Sequence, residues 1–304
     1  MNDPQVPFVS VVIPAYYSVS TLSGCLNALR KQTYRSFEVI LINSSPEQTT
    51  ETLVRTRYPE VRFEQHAGRL LPHAARNRGV ELARGDLLVF TDPDCSADPH
   101  WLEQLVLASG ESGQALVGAM DLDSSDLWEK AIHLIKSHWL LPGLPAGIKR
   151  CAPTANAAYS RKLWEKIGPF KGDYFSGDGI LSHRAALAGH APRFVPFAIV
   201  RHRHLNSAMD LVRQRFLRGR DYARAQLCDM APPGLYDWMR LVFSWAALPI
   251  VLMRAGRDAL HSGWLRPFLL TLPVQAIGHG FWSLGESFGA IEMIWKRVGQ
   301  AGEK

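Results

Sequence analysis

The chain has 304 residues, of which 47% are hydrophobic and 20% charged, and a net charge of +6. That composition suits a folded protein of one large domain, or one domain with an appendage, and excludes a disordered or low-complexity chain. The basic balance leaves nucleic acid, an anionic membrane surface or a phosphorylated substrate as partner classes. Four scattered cysteines without a C-x-x-C pair argue against a disulfide framework or a structural zinc, and fit a reducing compartment. Met1–Pro7 shows no basic region leading into an apolar core, so the expectation is a cytoplasmic protein without a secretion signal.

Strand and helix patterns alternate through the first third. Phe8–Ile13 reads as an apolar strand that stops at Pro14, and Thr21–Lys31 as a helix with Leu22, Leu26 and Leu29 on one face. Phe37–Ile42 is a second apolar strand, followed by a polar turn and a helix over Thr49–Arg57. Val61–Gln65 is a shorter strand, His73–Arg84 a helix that ends near Gly85, and Asp86–Thr91 the next strand. This spacing predicts βαβ units and a parallel sheet covered by helices. Neither a G-x-G-x-x-G after the first strand nor a G-x-x-x-x-G-K-[ST] occurs, which excludes a dinucleotide fingerprint and a P-loop.

The strand ending at Thr91 carries the chemistry. Leu87–Phe90 is a continuous apolar run, suited to burial on both faces, and it leads straight into Asp92 and Asp94. Ligands of such sheets bind at the carboxyl ends of the strands. Two carboxylates this close repel unless a positive charge sits between them, and a hard divalent cation carrying a polyphosphate is the natural occupant. The competing reading is an Asp-Pro turn that caps the next helix.

Beyond residue 115 the pattern loosens. Asp126–Leu140 is an amphipathic helix and residues 141–147 form a loop, with Gly-rich connections around Asn156 and Asp178. After about residue 205 the composition changes. Arg213, Arg215, Arg218, Arg220 and Arg224 fall within twelve residues, as a solvated helix or a functional one, and no nucleic-acid-binding module accompanies them. Leu241–Met253 and Pro267–Gly285 carry no charge, but the first is short of the roughly 20 residues of a bilayer span and the second is interrupted by Pro273, Gly278 and Gly280. Trp238, Trp245, Trp264 and Trp282 alternate with basic residues at their ends, which favours interfacial or re-entrant helices over buried core helices.

Taken together, Ser10-Val-Val-Ile-Pro-Ala-Tyr16, Gln32-Thr-Tyr34 with Phe37-Glu-Val-Ile40, Ala75-Arg-Asn-Arg-Gly79 and Phe90-Thr-Asp-Pro-Asp94 resemble the family 2 glycosyltransferases of GT-A fold. Asn156-Ala-Ala-Tyr159 and Gly177-Asp178 continue the match, which covers residues 8 to 205. The resemblance implies an α/β catalytic domain over residues 1–205, with a GT-A type, mixed and mostly parallel sheet flanked by helices. Residues 206–304 then form a helical appendage, arginine-rich and then hydrophobic and membrane-associated. The implied reaction is an inverting transfer of a sugar from a nucleotide-diphosphate donor, assisted by Mn²⁺ or Mg²⁺, to a lipid-linked or other glycan acceptor. The implied location is peripheral or monotopic, at the inner face of the cytoplasmic membrane, with nucleic acid excluded as a partner.

The resemblance also assigns residues. Pro14, Ala15 and Tyr16 would form the wall for the base, and Asn43 stands where the family usually has an Asp for the base or ribose. Arg76 or Asn77 would meet the ribose or diphosphate, with Asn156 also on the donor side. Asp94 would touch the metal directly, Asp92 the ribose or a metal-bound water, and His202 or His204 would add a ligand. Asp178 would be the base that takes the acceptor proton, although Gly177 replaces the family's usual Glu. Gln214-Arg-Phe-Leu-Arg218 departs from the Gln-x-x-Arg-Trp motif of processive relatives, which implies single transfer. Asn43 and Gly177 support an alternative, a nucleotide-sugar-binding scaffold that has lost catalysis.

Overall fold

β1 (Val9–Ala15) is buried along its whole length, with alternate side chains feeding the two faces of a sheet. The computed structural model describes residues 8–110, 113–172, 175–204, 207–230 and 234–302; Met1–Pro7 lie outside them. Two compact units are present, one of residues 1–123, 145–173 and 177–203, the other of residues 124–144, 174–176 and 204–304.

In chain order β1 is followed by α1 (Val19–Arg30), β2 (Phe37–Asn43), α2 (Thr49–Arg57), β3 (Arg62–Gln65), α3 (Pro72–Leu82), β4 (Leu87–Thr91), β5 (Cys95–Ala97), α4 (Trp101–Ser109) and β6 (Leu116–Asp121). Next come α5 (Leu127–Ser137) of the second unit, then β7 (Gly147–Ile148), β8 (Asn156–Ser160), α6 (Arg161–Ile167), α7 (Gly177–Leu187) and β9 (Arg193–His202). The remaining helices are α8 (Ala208–Ala225), α9 (Leu235–Val242), α10 (Leu248–His261), α11 (Leu265–Leu270) and α12 (Leu272–Gly302).

The strands of the first unit form one sheet in the order β3-β2-β1-β4-β8-β6-β9-β5, with β7 on β9. β3, β2, β1 and β4 are mutually parallel; β8 opposes β4 and β6, and β9 runs parallel to β6. The carboxyl ends of β1, β2, β3, β4, β6 and β9 therefore share one edge. Val11, Ile13, Val39 and Leu41 bury into a core with Leu22, Leu26, Trp101 and Leu102, while Ile40 and Ile42 meet Ala75 on the opposite face. Period-2 alternation with both faces apolar is what made the sequence runs continuous.

Two boundaries differ from the sequence reading for physical reasons. β1 does not stop at Pro14. The Ala15 carbonyl accepts from Ser44 N–H (3.0 Å), so Ala15 faces β2, and Pro14 faces the other way, past the last β1–β4 pair of Val12 with Phe90. No ladder donor is needed there, and proline is tolerated. The uncharged stretch from Pro267 is two helices, broken at Thr271 with Pro273 in the first turn of α12.

The second unit is helical. Ile132, Ile135 and Leu211 pack with Trp128 and Val274, and Ala223, Leu227, Leu241 and Ala290 form another apolar cluster. Its interior also holds Arg215, Gln275, His279 and Glu286, while Tyr236, Met239, Phe243, Trp245, Ile250 and Met253 are exposed. The solvated reading of the arginine helix fails at Arg215, which donates to the Gly278 carbonyl (3.2 Å) and lies 4.3 Å over the Trp282 ring. Arg220 is paired with Glu292 at 2.7 Å. Among the described residues no single helix is long and apolar enough to cross a membrane; Leu235–Val242 and Ser244–His261 reach that length together but bend by 74°.

Candidate active site at the carboxyl edge of the sheet

Parallel pairing brings Ala15, Asn43 and Gln65 into one row at the carboxyl edge, and β4 delivers Asp92 and Asp94 just past Thr91. The chain then turns back as β5. Antiparallel pairing sets Cys95 opposite His202, and Arg203 N–H donates to the Asp94 carbonyl (3.2 Å). This pairing makes His202 a neighbour of the carboxylates although more than a hundred residues separate them. Its Nε2 lies 3.4 Å from Asp94 Oδ1.

Asp92, Asp94, Cys95 and His202 each offer a ligand atom, all within 4.8 Å of one another. The Cys95 thiol is pushed well above its ordinary range by burial, and the nearby Asp92 and Asp94 carboxylates add to that. Beside this thiol the group holds two carboxylates and an imidazole. That oxygen-rich donor set fits Mn²⁺ or Mg²⁺. Asp94 Oδ1 and His202 Nε2 stand close enough to share one small divalent ion. His204 does not join the group; it is buried in the second unit, 3.2 Å from His133 Nδ1.

Arg76 reaches this cluster from α3. It is 3% exposed, its guanidinium pairs with Asp92 Oδ1, and its Nε has no hydrogen-bond partner. A buried guanidinium with a donor unspent, beside carboxylates poised for a cation, fits a diphosphate placed between the two charges. Tyr16 is exposed at the end of β1, with the Arg69 guanidinium 4.7 Å over its ring and Tyr17 edge-on at 4.7 Å. Tyr17 takes a positive φ of 50°, uncommon for a side chain of its size. Pro14 and Ala15 are buried in β1, so Tyr16 alone of the three presents a surface. Arg69 was missed by the sequence reading; its signal was a cation in the loop after a parallel strand.

Three assigned amides turn away from the ligand side. Asn156 was expected to touch the donor, but it is fully buried: Oδ1 accepts from Trp101 Nε1 (2.8 Å), and Nδ2 donates to the Ala119 and Ala198 carbonyls (2.9 Å each). The cause is a bulge in β9, where the register with β6 jumps between Gly118 and Ala119 and strands these carbonyls. The amide fills the place where a Cβ on Gly118 would sit. The half-buried Asn77 amide grips both backbone groups of Phe170 at 2.8 and 3.0 Å, which leaves Arg76 as the member of the pair that reaches the carboxylates. Asn43 is fully buried, donating to Gln65 Oε1 and accepting from Ser45 Oγ, each at 2.8 Å, so it shapes the strand end rather than facing a base.

Asp178 is half-buried in the first turn of α7, not at its N-cap, and its Oδ1 accepts from Gly179 N–H (2.8 Å). Gly177 before it has no room for a side chain: a Cβ would lie 2.7 Å from the His73 ring and 2.8 Å from the Lys171 carbonyl. The departure from the family's Glu thus has a packing cause.

Residues 10–168 match glycosyl transferase family 2. The chain is 31% identical over 196 residues to glycosyltransferase AglE of Haloferax volcanii, covering 62% of this chain and 64% of that one. It is 33% identical over 136 residues to the undecaprenyl-phosphate 4-deoxy-4-formamido-L-arabinose transferase of Aeromonas hydrophila, over 42% and 41% of the two chains. The matched part thus spans less than two thirds of these relatives. Among solved structures, a mannosyltransferase from Pyrobaculum calidifontis in complex with GDP-Man and Mn²⁺ superposes with a TM-score of 0.62 at 18% identity, over 96% of this chain and 88% of that one. TarS of S. aureus, in complex with UDP-GlcNAc, gives 0.52 at 15% identity, over 91% and 90%. The sheet is of the GT-A type.

Proposed function

We propose that this chain, which belongs to glycosyl transferase family 2, is a metal-dependent inverting glycosyltransferase that moves a sugar from a nucleotide-diphosphate donor to an acceptor hydroxyl. The observation that carries this reading is the convergence of Asp92, Asp94 and His202 at the carboxyl edge, with buried Arg76 against Asp92. The GDP-Man and Mn²⁺ of the mannosyltransferase neighbour support a nucleotide-sugar and a divalent ion as the occupants.

Asp94 and His202 would hold the ion, Mn²⁺ or Mg²⁺. When bound, it would offset charge on the departing nucleoside diphosphate. Arg76 binds diphosphate oxygens, and Tyr16 with Arg69 offers the base a flat cationic face. Asp178 takes the proton of the attacking hydroxyl. The scaffold alternative keeps both of its supports, Asn43 and Gly177, and the retained Asp92, Asp94 and Asp178 argue against it.

A lipid-linked acceptor is supported by the undecaprenyl-phosphate named for the Aeromonas hydrophila relative. It is also supported by the apolar side chains that α9 and α10 expose, Tyr236, Met239, Ile250 and Met253 among them. Such helices suit the interface of the cytoplasmic membrane without crossing it.

The test is a screen of nucleotide-sugars with Mn²⁺, read by hydrolysis and by thermal stabilisation; a donor at a hundred times its Kd should stabilise by about 2.7 kcal/mol. EDTA and Asp94→Ala should each reduce turnover to near background. Wild-type turnover and an unchanged Mn²⁺ titration in Asp94→Ala would refute the metal assignment.

A further inference from the structure

We infer that His73 is a positioning residue that ties the donor-binding arginine to the turn carrying the base, an inference that rests on the proposed transferase reading. α3 presents several anchors in its first two turns. His73 Nδ1 lies 3.4 Å from Arg76 Nη1, and Arg76 in turn holds Asp92. A guanidinium only donates, so Nδ1 accepts and the ring proton sits on Nε2. The other side of the ring meets Gly177 so closely that no Cβ fits, and its face lies 4.9 Å from the Phe170 ring. Ala74 abuts Gly172, where an added Cβ would come within 3.2 Å of the Ala74 Cβ, and Asn77 clamps the Phe170 backbone.

One imidazole, 4% exposed, therefore sets two things at once: the direction of Arg76 and the seat of Gly177, next to Asp178. Neither sequence motif shows this link, because His73 precedes the Ala75–Gly79 motif and Gly177 lies a hundred residues later. The two roles are separable chemically. Asn in place of His73 keeps an acceptor near the Nδ1 position but removes the ring. Phe keeps a ring but removes the acceptor.

The experiment measures donor Kd by thermal stabilisation with Mn²⁺ and a nucleotide-sugar, and transfer or donor hydrolysis by turnover, for the wild type, His73→Asn, His73→Phe and Gly177→Ala. His73→Asn should keep donor Kd within about threefold and lose turnover by about 10²-fold, the cost of a misplaced reacting group. His73→Phe should weaken donor binding by about tenfold or more, as loss of a charge-assisted contact implies. Gly177→Ala should behave like His73→Asn, which keeps the inference testable if His73→Phe does not fold. Kd and turnover within twofold of wild type in both folded His73 variants would overturn the inference. So would a parallel loss of both parameters in His73→Asn and Gly177→Ala, which marks a merely structural role. A wild-type protein that neither binds nor turns over any donor overturns the transferase reading itself, and this inference with it.

Discussion

Replacing Asn156 separates a residue that touches the donor from one that pins the sheet beneath it. Asn156→Ala removes three hydrogen bonds, leaving Trp101 Nε1 and the Ala119 and Ala198 carbonyls without their partner at a fully buried position. A buried polar group left unpaired costs about 1–3 kcal/mol. Three of them, partly relieved by a water entering the vacated space, should cost about 3–5 kcal/mol, a large share of a total of about 5–15. Asn156→Asp is nearly isosteric but loses both donors and sets a carboxylate against two carbonyls, so it should cost at least as much. Urea unfolding gives the stability, and donor affinity is measured on the folded fraction at low temperature. The expected pattern is a large drop in midpoint with donor Kd close to wild type. Unchanged stability with lost donor binding would refute the reasoning and return Asn156 to the ligand side.

Asp178→Asn keeps size and the bond from Gly179 N–H, so fold and donor binding should survive while transfer falls by about 10²–10⁴; an unchanged rate would leave Asp178 a structural residue. Glu38 shows a stability effect with a defined sign. Burial works to raise its carboxyl, but bonds from the Arg84 N–H, the Ser10 hydroxyl and the Arg84 guanidinium outweigh this and hold it below the usual range. Its contribution is therefore present above the unfolded value and lost as pH falls through the folded one. Glu38→Gln should cost about 1–2 kcal/mol at pH 7, discounted for the exposed Arg84, and the two stability curves should meet at acid pH; a gap that stays constant from pH 7 to the acid limb would contradict this. Phe243 and Trp245 are more than half exposed. Replacing both by Glu should leave unfolding unchanged and lower the flotation of the protein with anionic vesicles at least tenfold, whereas undiminished flotation would place membrane contact elsewhere.

Much of the molecule was legible in the chain. The apolar runs of β1, β2 and β4 appear as uninterrupted hydrophobic segments because both faces of a mostly parallel sheet are covered. Asp92 and Asp94 could be assigned to its carboxyl edge because a strand's direction fixes where its end lies. Side-chain direction was not legible. Asn43, Asn77 and Asn156 are the residue types a donor site needs, yet Asn77 and Asn156 are taken by backbone groups of a loop and a bulge, and Asn43 by the Gln65 and Ser45 side chains. His202 became a neighbour of Asp94 only when β5 folded back on β9. Gly177 read as a lost carboxylate, and only the folded chain shows the His73 ring beside it that leaves no room for a side chain. Sequence periodicity by itself determined which segments bury, since burial follows local pattern. Which atoms meet at the carboxyl edge was decided by the tertiary structure alone, since contacts between β5 and β9 or α3 and α7 join residues about a hundred apart and leave no local periodicity to read.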